Sequence, residues 1–75
     1  MASVEKIVEK MHYQPHGIRM EEADKVLKVY GDECVRQKGS HRQYLNREKG
    51  DLITIKQDTT LKKVYVVDIL NRIGR

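Results

Sequence analysis

Val35-Arg36-Gln37-Lys38-Gly39-Ser40-His41-Arg42-Gln43-Tyr44 is the stretch on which the fold turns. Lys38-Gly39-Ser40 reads as a tight connection, because glycine takes turn geometry without steric cost. The segments on either side, 33–37 and 41–45, then read as two paired strands. Asn46-Arg47-Glu48-Lys49-Gly50, polar and closed by glycine, is a second hairpin turn. It leads into Asp51-Leu52-Ile53-Thr54-Ile55-Lys56, the clearest strand, where β-branched residues concentrate. Strands joined by hairpins make an antiparallel sheet, and such a sheet can keep one face wet.

Helical spacing flanks the strands on both sides. Upstream, Ala23, Val26, Leu27 and Tyr30 fall at i, i+3, i+4, i+7. That helix starts near Met20, with Glu21, Glu22 and Asp24 at its positive end. Gly31 stands where a helix closes in the left-handed conformation. Downstream, residues 57–60 read as a loop and a helix is expected over about 62–73. Val66, Ile69, Leu70 and Ile73 form its stripe, and Gly74 lies at its end. Nearer the N-terminus, Ser3 can cap a short helix whose face is Val4, Ile7, Val8 and Met11. Pro15 and Gly17 break it. Each helix has one apolar stripe, so all three must cover the same face of the sheet. The expected fold is a two-layer α+β domain: a three-stranded antiparallel sheet packed with helices. It spans residues 1–75 as one domain, with residues 1–17 as an N-terminal helical extension, and the segment before Arg19 could be loosely attached.

Composition narrows the function classes. A chain of 75 residues buries a thin core, which favours a shallow surface site over a deep ligand pocket. With four Tyr and no Trp or Phe, the core must be aliphatic. The single cysteine, Cys34, rules out an internal disulfide and a multi-Cys zinc site. Cys34 itself reads as a small apolar residue of the first strand. His12 and His16, either side of Pro15, read as surface loop residues. No metal site and no cofactor are expected. The N-terminus lacks the apolar core of a signal peptide, and no apolar run is long enough to span a membrane, so the cytoplasm is the expected location. The charge is uneven. Residues 1–35 carry five Lys/Arg against seven Asp/Glu, a net of −2, whereas residues 36–75 carry ten against four, a net of +6. One half therefore suits a polyanion.

The chemistry concentrates where the hairpin does. His41 opens a strand directly after a glycine turn, with Arg36, Lys38 and Arg42 near it in sequence. RNA can be cut through its own 2′-hydroxyl if a protein moves protons and stabilises charge on phosphorus. An imidazole suits the first task and Lys or Arg the second. Gly39 would let a phosphate approach closely, and Ser40 could donate to a phosphate oxygen. A solvated histidine beside a turn is the commoner situation, so on these residues alone catalysis is the minority reading. Thr59-Thr60-Leu61-Lys62-Lys63, at the start of the last helix, offers free N–H groups and two cations for phosphate. Ordinary threonine capping followed by a solvated lysine pair explains it equally well. Tyr44 is either a core residue or a base-stacking one, and partial burial is expected.

Taken together, Val35-Arg36-Gln37-Lys38-Gly39-Ser40-His41, Leu52-Ile53-Thr54-Ile55 and Leu61-Lys62-Lys63 resemble the HicA (YcfA-like) family of bacterial toxins. The likeness runs from Ile18 to Ile73. It departs at Asp32, where members often carry an aromatic, at Cys34, where they carry a larger aliphatic, and at Lys56, where they carry proline. The resemblance implies an α-β-β-β-α fold like that of double-stranded-RNA-binding domains. It implies an mRNA interferase neutralised by a HicB-like antitoxin. It places the catalytic histidine at His41 and paired lysines at Lys62 and Lys63. The expected reading is a metal-independent endoribonuclease. His41 is its general acid or base, and Arg36, Lys38, Gly39, Ser40, Arg42, Lys62 and Lys63 hold the RNA. The alternatives are a non-catalytic RNA-binding module on the same fold, and a protein-interaction module whose basic face meets an acidic partner.

Overall fold

The structure, a computed structural model, describes residues 3–75. Met1 and Ala2 of the expected extension lie outside the described residues. The elements run α1 (Val4–Tyr13), α2 (Met20–Val29), β1 (Asp32–Lys38), β2 (His41–Asn46), β3 (Asp51–Lys56) and α3 (Lys63–Ile73). This is the expected α+β class, with an α-β-β-β-α order preceded by one more helix. The three strands pair antiparallel in the order β1-β2-β3.

The helices pack on one another and on one side of the sheet, as their single stripes require. Ile7, Val8 and Met11 of α1, Ala23, Val26 and Leu27 of α2, and Val66 and Ile69 of α3 are all buried in one core. The sheet adds Tyr44 and Ile55, and the connecting segments add Ile18 and Leu61. Helix α1 is thus packed into the core rather than loosely attached: Met11 is 1 % exposed, and the Lys10 ammonium lies 3.1 Å from the Glu22 carboxylate of α2. The Ser3 side chain accepts from the Lys6 N–H, the cap expected of it. His12 belongs to the last turn of α1 rather than to a loop, and His16 lies in the turn that follows; both are exposed.

Helix α3 is held against the sheet by charge as well as by its stripe. Arg72 reaches one Asp32 carboxylate oxygen through Nε at 3.0 Å and Nη2 at 2.9 Å, and donates to the Asp51 carbonyl. The helix begins one residue later than expected. Lys62 occupies the N-cap with no side-chain capping bond, so neither Thr59 nor Thr60 caps it. Leu61 is buried, and its N–H donates to the Ile18 carbonyl at 2.7 Å.

Strand β1 contains an irregularity that decides where its side chains point. Cys34 pairs with Tyr44, but the next pair is Arg36 with Gln43, which leaves Val35 as an extra residue. Such a bulge changes which face the following residues occupy. Before it, Asp32 and Cys34 share the helix side with Asn46 and Tyr44. After it, Arg36 and Lys38 share the opposite side with Gln43 and His41. The hairpin between β1 and β2 is a two-residue turn with Gly39 at φ 58°, the positive value a type II′ turn requires of its first central residue.

Candidate functional site

The open face of the sheet carries the site. His41 is the first residue of the central strand, and its cross-strand partners are Lys38 on β1 and Lys56 on β3. The next residue on that face is Gln43, flanked by Arg36 and Thr54. These side chains, with the Gly39–Ser40 turn, line a half-open cavity of about 570 Å³; Lys56 is not part of the lining. The expectation of a shallow site is met in shape but exceeded in volume, because a sheet face without helices leaves a broad concavity beside the turn.

The lining has two cations, one imidazole and no carboxylate. Among the described residues, the side chains of Arg36, Lys38, Ser40, His41, Gln43 and Thr54 make no hydrogen bond or ion pair within the chain. An unscreened pair of cations on a solvated face favours an anionic ligand. The position of Cβ at Gly39 is open space, so the positive φ, not crowding, excludes larger residues there. The turn also lines a second, more open depression with Gln37, Gln57, Asp58 and Thr59. The Gln57 N–H donates to the Ser40 carbonyl, which ties the loop before α3 to the turn before His41.

The family model described as the HicA toxin of bacterial toxin–antitoxin pairs matches residues 20–74, from the first residue of α2 to the residue after α3. The chain belongs to the HicA toxin family. It is therefore the toxin of a toxin–antitoxin pair, and an antitoxin is its partner. Comparison with curated proteins and with solved structures gives no match. The matched HicA segment contains the whole sheet and the cavity; α1 lies before it.

Of the HicA site residues expected from sequence, Arg36, Lys38, Gly39, Ser40 and His41 come together around the cavity. Arg42 does not join them. It points to the helix side, where the Tyr44 hydroxyl oxygen accepts from it and holds it more firmly in its charged form; its Nε is buried without a partner. Lys62 and Lys63 are exposed at the start of α3 and line neither depression. Tyr44 is fully buried, not partly, so it is closed to base stacking. Its hydroxyl donates to Asp24 at 2.5 Å. Burial first, then that hydrogen bond, pushes the phenol well above its usual range. Burial also works to raise Asp24, but hydrogen bonds from Tyr44 and Lys28 outweigh it and leave the carboxyl below its usual range. Cys34 is exposed rather than a packed apolar residue, although its strand position faces the helix side, because it sits beside the bulge on an edge strand.

Gln43 and Thr54 line the cavity and were not among the expected residues. The signal for Gln43 was available: it stands two residues after His41 on one strand, hence on the same face. Among the described residues no three His, Cys, Asp or Glu side chains cluster as metal ligands would, and no helix is long and apolar enough to cross a membrane.

Proposed function

We propose that this HicA-family toxin is an endoribonuclease that cuts mRNA in the cytoplasm at the His41 cavity without a metal ion. The ribose 2′-oxygen attacks the adjacent phosphorus. The P–O2′ bond forms as the P–O5′ bond breaks, and one proton passes overall from the 2′-oxygen to the departing 5′-oxygen. His41 serves that transfer as general acid or base, and Arg36 and Lys38 stabilise the charge that builds on the phosphoryl oxygens. The Ser40 hydroxyl is free to donate to the same oxygens. Lys62 and Lys63, beside the free N–H groups of α3, hold phosphates farther along the strand. The observation that carries this reading is the convergence of one imidazole and two cations on an open face, with every lining side chain free of partners among the described residues. A HicB-like antitoxin would cover the same face, since carboxylates placed against these cations would associate quickly and in a salt-dependent way.

The test is cleavage of a structureless RNA by the full chain in EDTA. Products should end in 2′,3′-cyclic phosphate and 5′-hydroxyl. His41→Ala should slow the reaction roughly 10²–10⁴-fold, the usual worth of a general acid or base, while RNA binding largely persists. Unchanged cutting by the variant refutes the role of His41. RNA binding without cutting by the unaltered chain would instead favour a non-catalytic RNA-binding module.

A further inference from the structure

The cavity holds more than the phosphate chemistry needs. Charge stabilisation and proton transfer are covered by Arg36, Lys38 and His41, yet a neutral amide on the central strand also lines the cavity. Gln43 is half-buried in the central strand, between Arg36 and Thr54. Its amide offers donors and an acceptor side by side, and neither meets a partner among the described residues. A phosphate has no use for that combination, because it only accepts. A nucleobase edge does.

We infer that Gln43 is the specificity-determining residue of this site and reads the base on the 5′ side of the cut; the inference rests on the endoribonuclease reading above. Two residues along a strand span about 7 Å. A nucleotide whose ribose is held at His41 therefore lays its own base over Gln43. The Thr54 hydroxyl, one strand away, adds a second hydrogen-bonding group. The glutamine amide pairs most naturally with adenine, through N6 as donor and N7 as acceptor. The ligand class is thus single-stranded RNA with adenine immediately before the scissile phosphate.

The experiment uses the full chain and two sets of oligoribonucleotides identical except at that nucleotide. Adenine should be preferred in kcat/KM by roughly 5- to 150-fold, the discrimination of one bidentate base contact. Gln43→Ala should bring the ratio close to one. Gln43→Glu, which can only accept, should move the preference toward cytosine and its exocyclic amine. If Gln43→Ala cuts too slowly to measure, the same ratio is read from binding to His41→Ala with and without the Gln43 change. A ratio that survives loss of the amide, or a wild-type chain indifferent to that base, overturns the inference and leaves the nuclease reading standing. A wild-type chain that cuts no RNA removes both.

Discussion

The two faces of this sheet are built from the same three strands and treat polar groups in opposite ways. On the helix-covered face they are drawn into the fold. Tyr44 engages Asp24 and Arg42, Arg72 engages Asp32, and Asn46 bonds Tyr30 and Lys49. On the open face, the side chains of Arg36, Lys38, His41, Gln43 and Thr54 engage nothing among the described residues. The difference teaches that residue type does not mark the site. Arg36 and Arg42 are chemically alike and six positions apart, and the fold consumes only one of them. Most buried polar groups are satisfied by the protein, and on the helix-covered face Asp32 Oδ2 and Arg42 Nε are buried atoms without a partner among the described residues. A solvated polar group costs the fold nothing if left alone, and so stays available to a ligand.

The contrast is most directly broken with a pair of arginine truncations. Arg72→Ala leaves the Asp32 carboxylate, whose side chain is 1 % exposed, without its partner. It should cost about 3–5 kcal/mol in urea unfolding, the usual effect of breaking a buried pair from one side. Arg36→Ala should change stability by less than about 0.5 kcal/mol and lower RNA cleavage instead. Similar melting losses from the two would erase the distinction between the faces.

A smaller effect is expected from Tyr44→Phe. Asp24 then keeps Lys28 but loses its short bond to the phenol, and roughly 1–3 kcal/mol of stability should go with it. Cleavage by the folded fraction should not change, because the ring is buried away from the cavity. A loss of activity without a loss of stability would mean that the covered face takes part in the chemistry.

The lysine pair at α3 tests how far the open face extends. In a His41→Ala background, Lys62→Ala with Lys63→Ala should flatten the slope of log K against log salt by about 0.7 for each RNA phosphate that the pair no longer neutralises. An unaltered slope would confine the RNA path to the cavity and its turns.

The smallest effect is an acid one, and it belongs to the covered side. Burial alone would raise Glu22 and Asp24. The Arg19 N–H and Lys10 reverse this at Glu22, and Tyr44 and Lys28 reverse it at Asp24, so both lie below their ordinary values of 4.5 and 3.8. Groups lowered by folding add stability above those ordinary values and lose it as pH falls through the lowered ones. The melting temperature should therefore hold above about pH 5 and decline below it. In Tyr44→Phe the part of the decline due to Asp24 should shrink.

The sheet and its turns were legible in the sequence because local chemistry fixes them. Gly39 and Gly50 sit at positive φ in the two hairpins, and β3 is rich in β-branched residues. The helix stripes were equally plain. Helix α3 starts one residue late, since Lys62 rather than a threonine holds its N-cap, and α1 runs on through His12 to Tyr13. What stayed hidden depends on partners distant in sequence. Nothing local to Tyr44 announces Asp24, twenty residues earlier, and nothing local to Asp32 announces Arg72, forty residues later. The bulge was hidden for another reason: β1 has only Cys34 and Val35 as apolar residues, too few to reveal a break in alternation. Without it, regular alternation from Cys34 would put Arg36 on the face of Arg42 and not on that of His41.

That extra residue makes β1 two half-strands with different loyalties. The part up to Cys34 keeps step with the core through Asp32 and Arg72. The part from Arg36 to the turn keeps step with whatever binds at His41. Deleting Val35 would make Cys34 and Arg36 consecutive opposite Tyr44 and Gln43, and simple alternation would keep both halves on their present faces. A strand that kept Val35 but paired it regularly would instead turn one half over. Either the two cations would leave the cavity or the Asp32 anchor would leave α3, so the site depends on one residue staying out of the ladder.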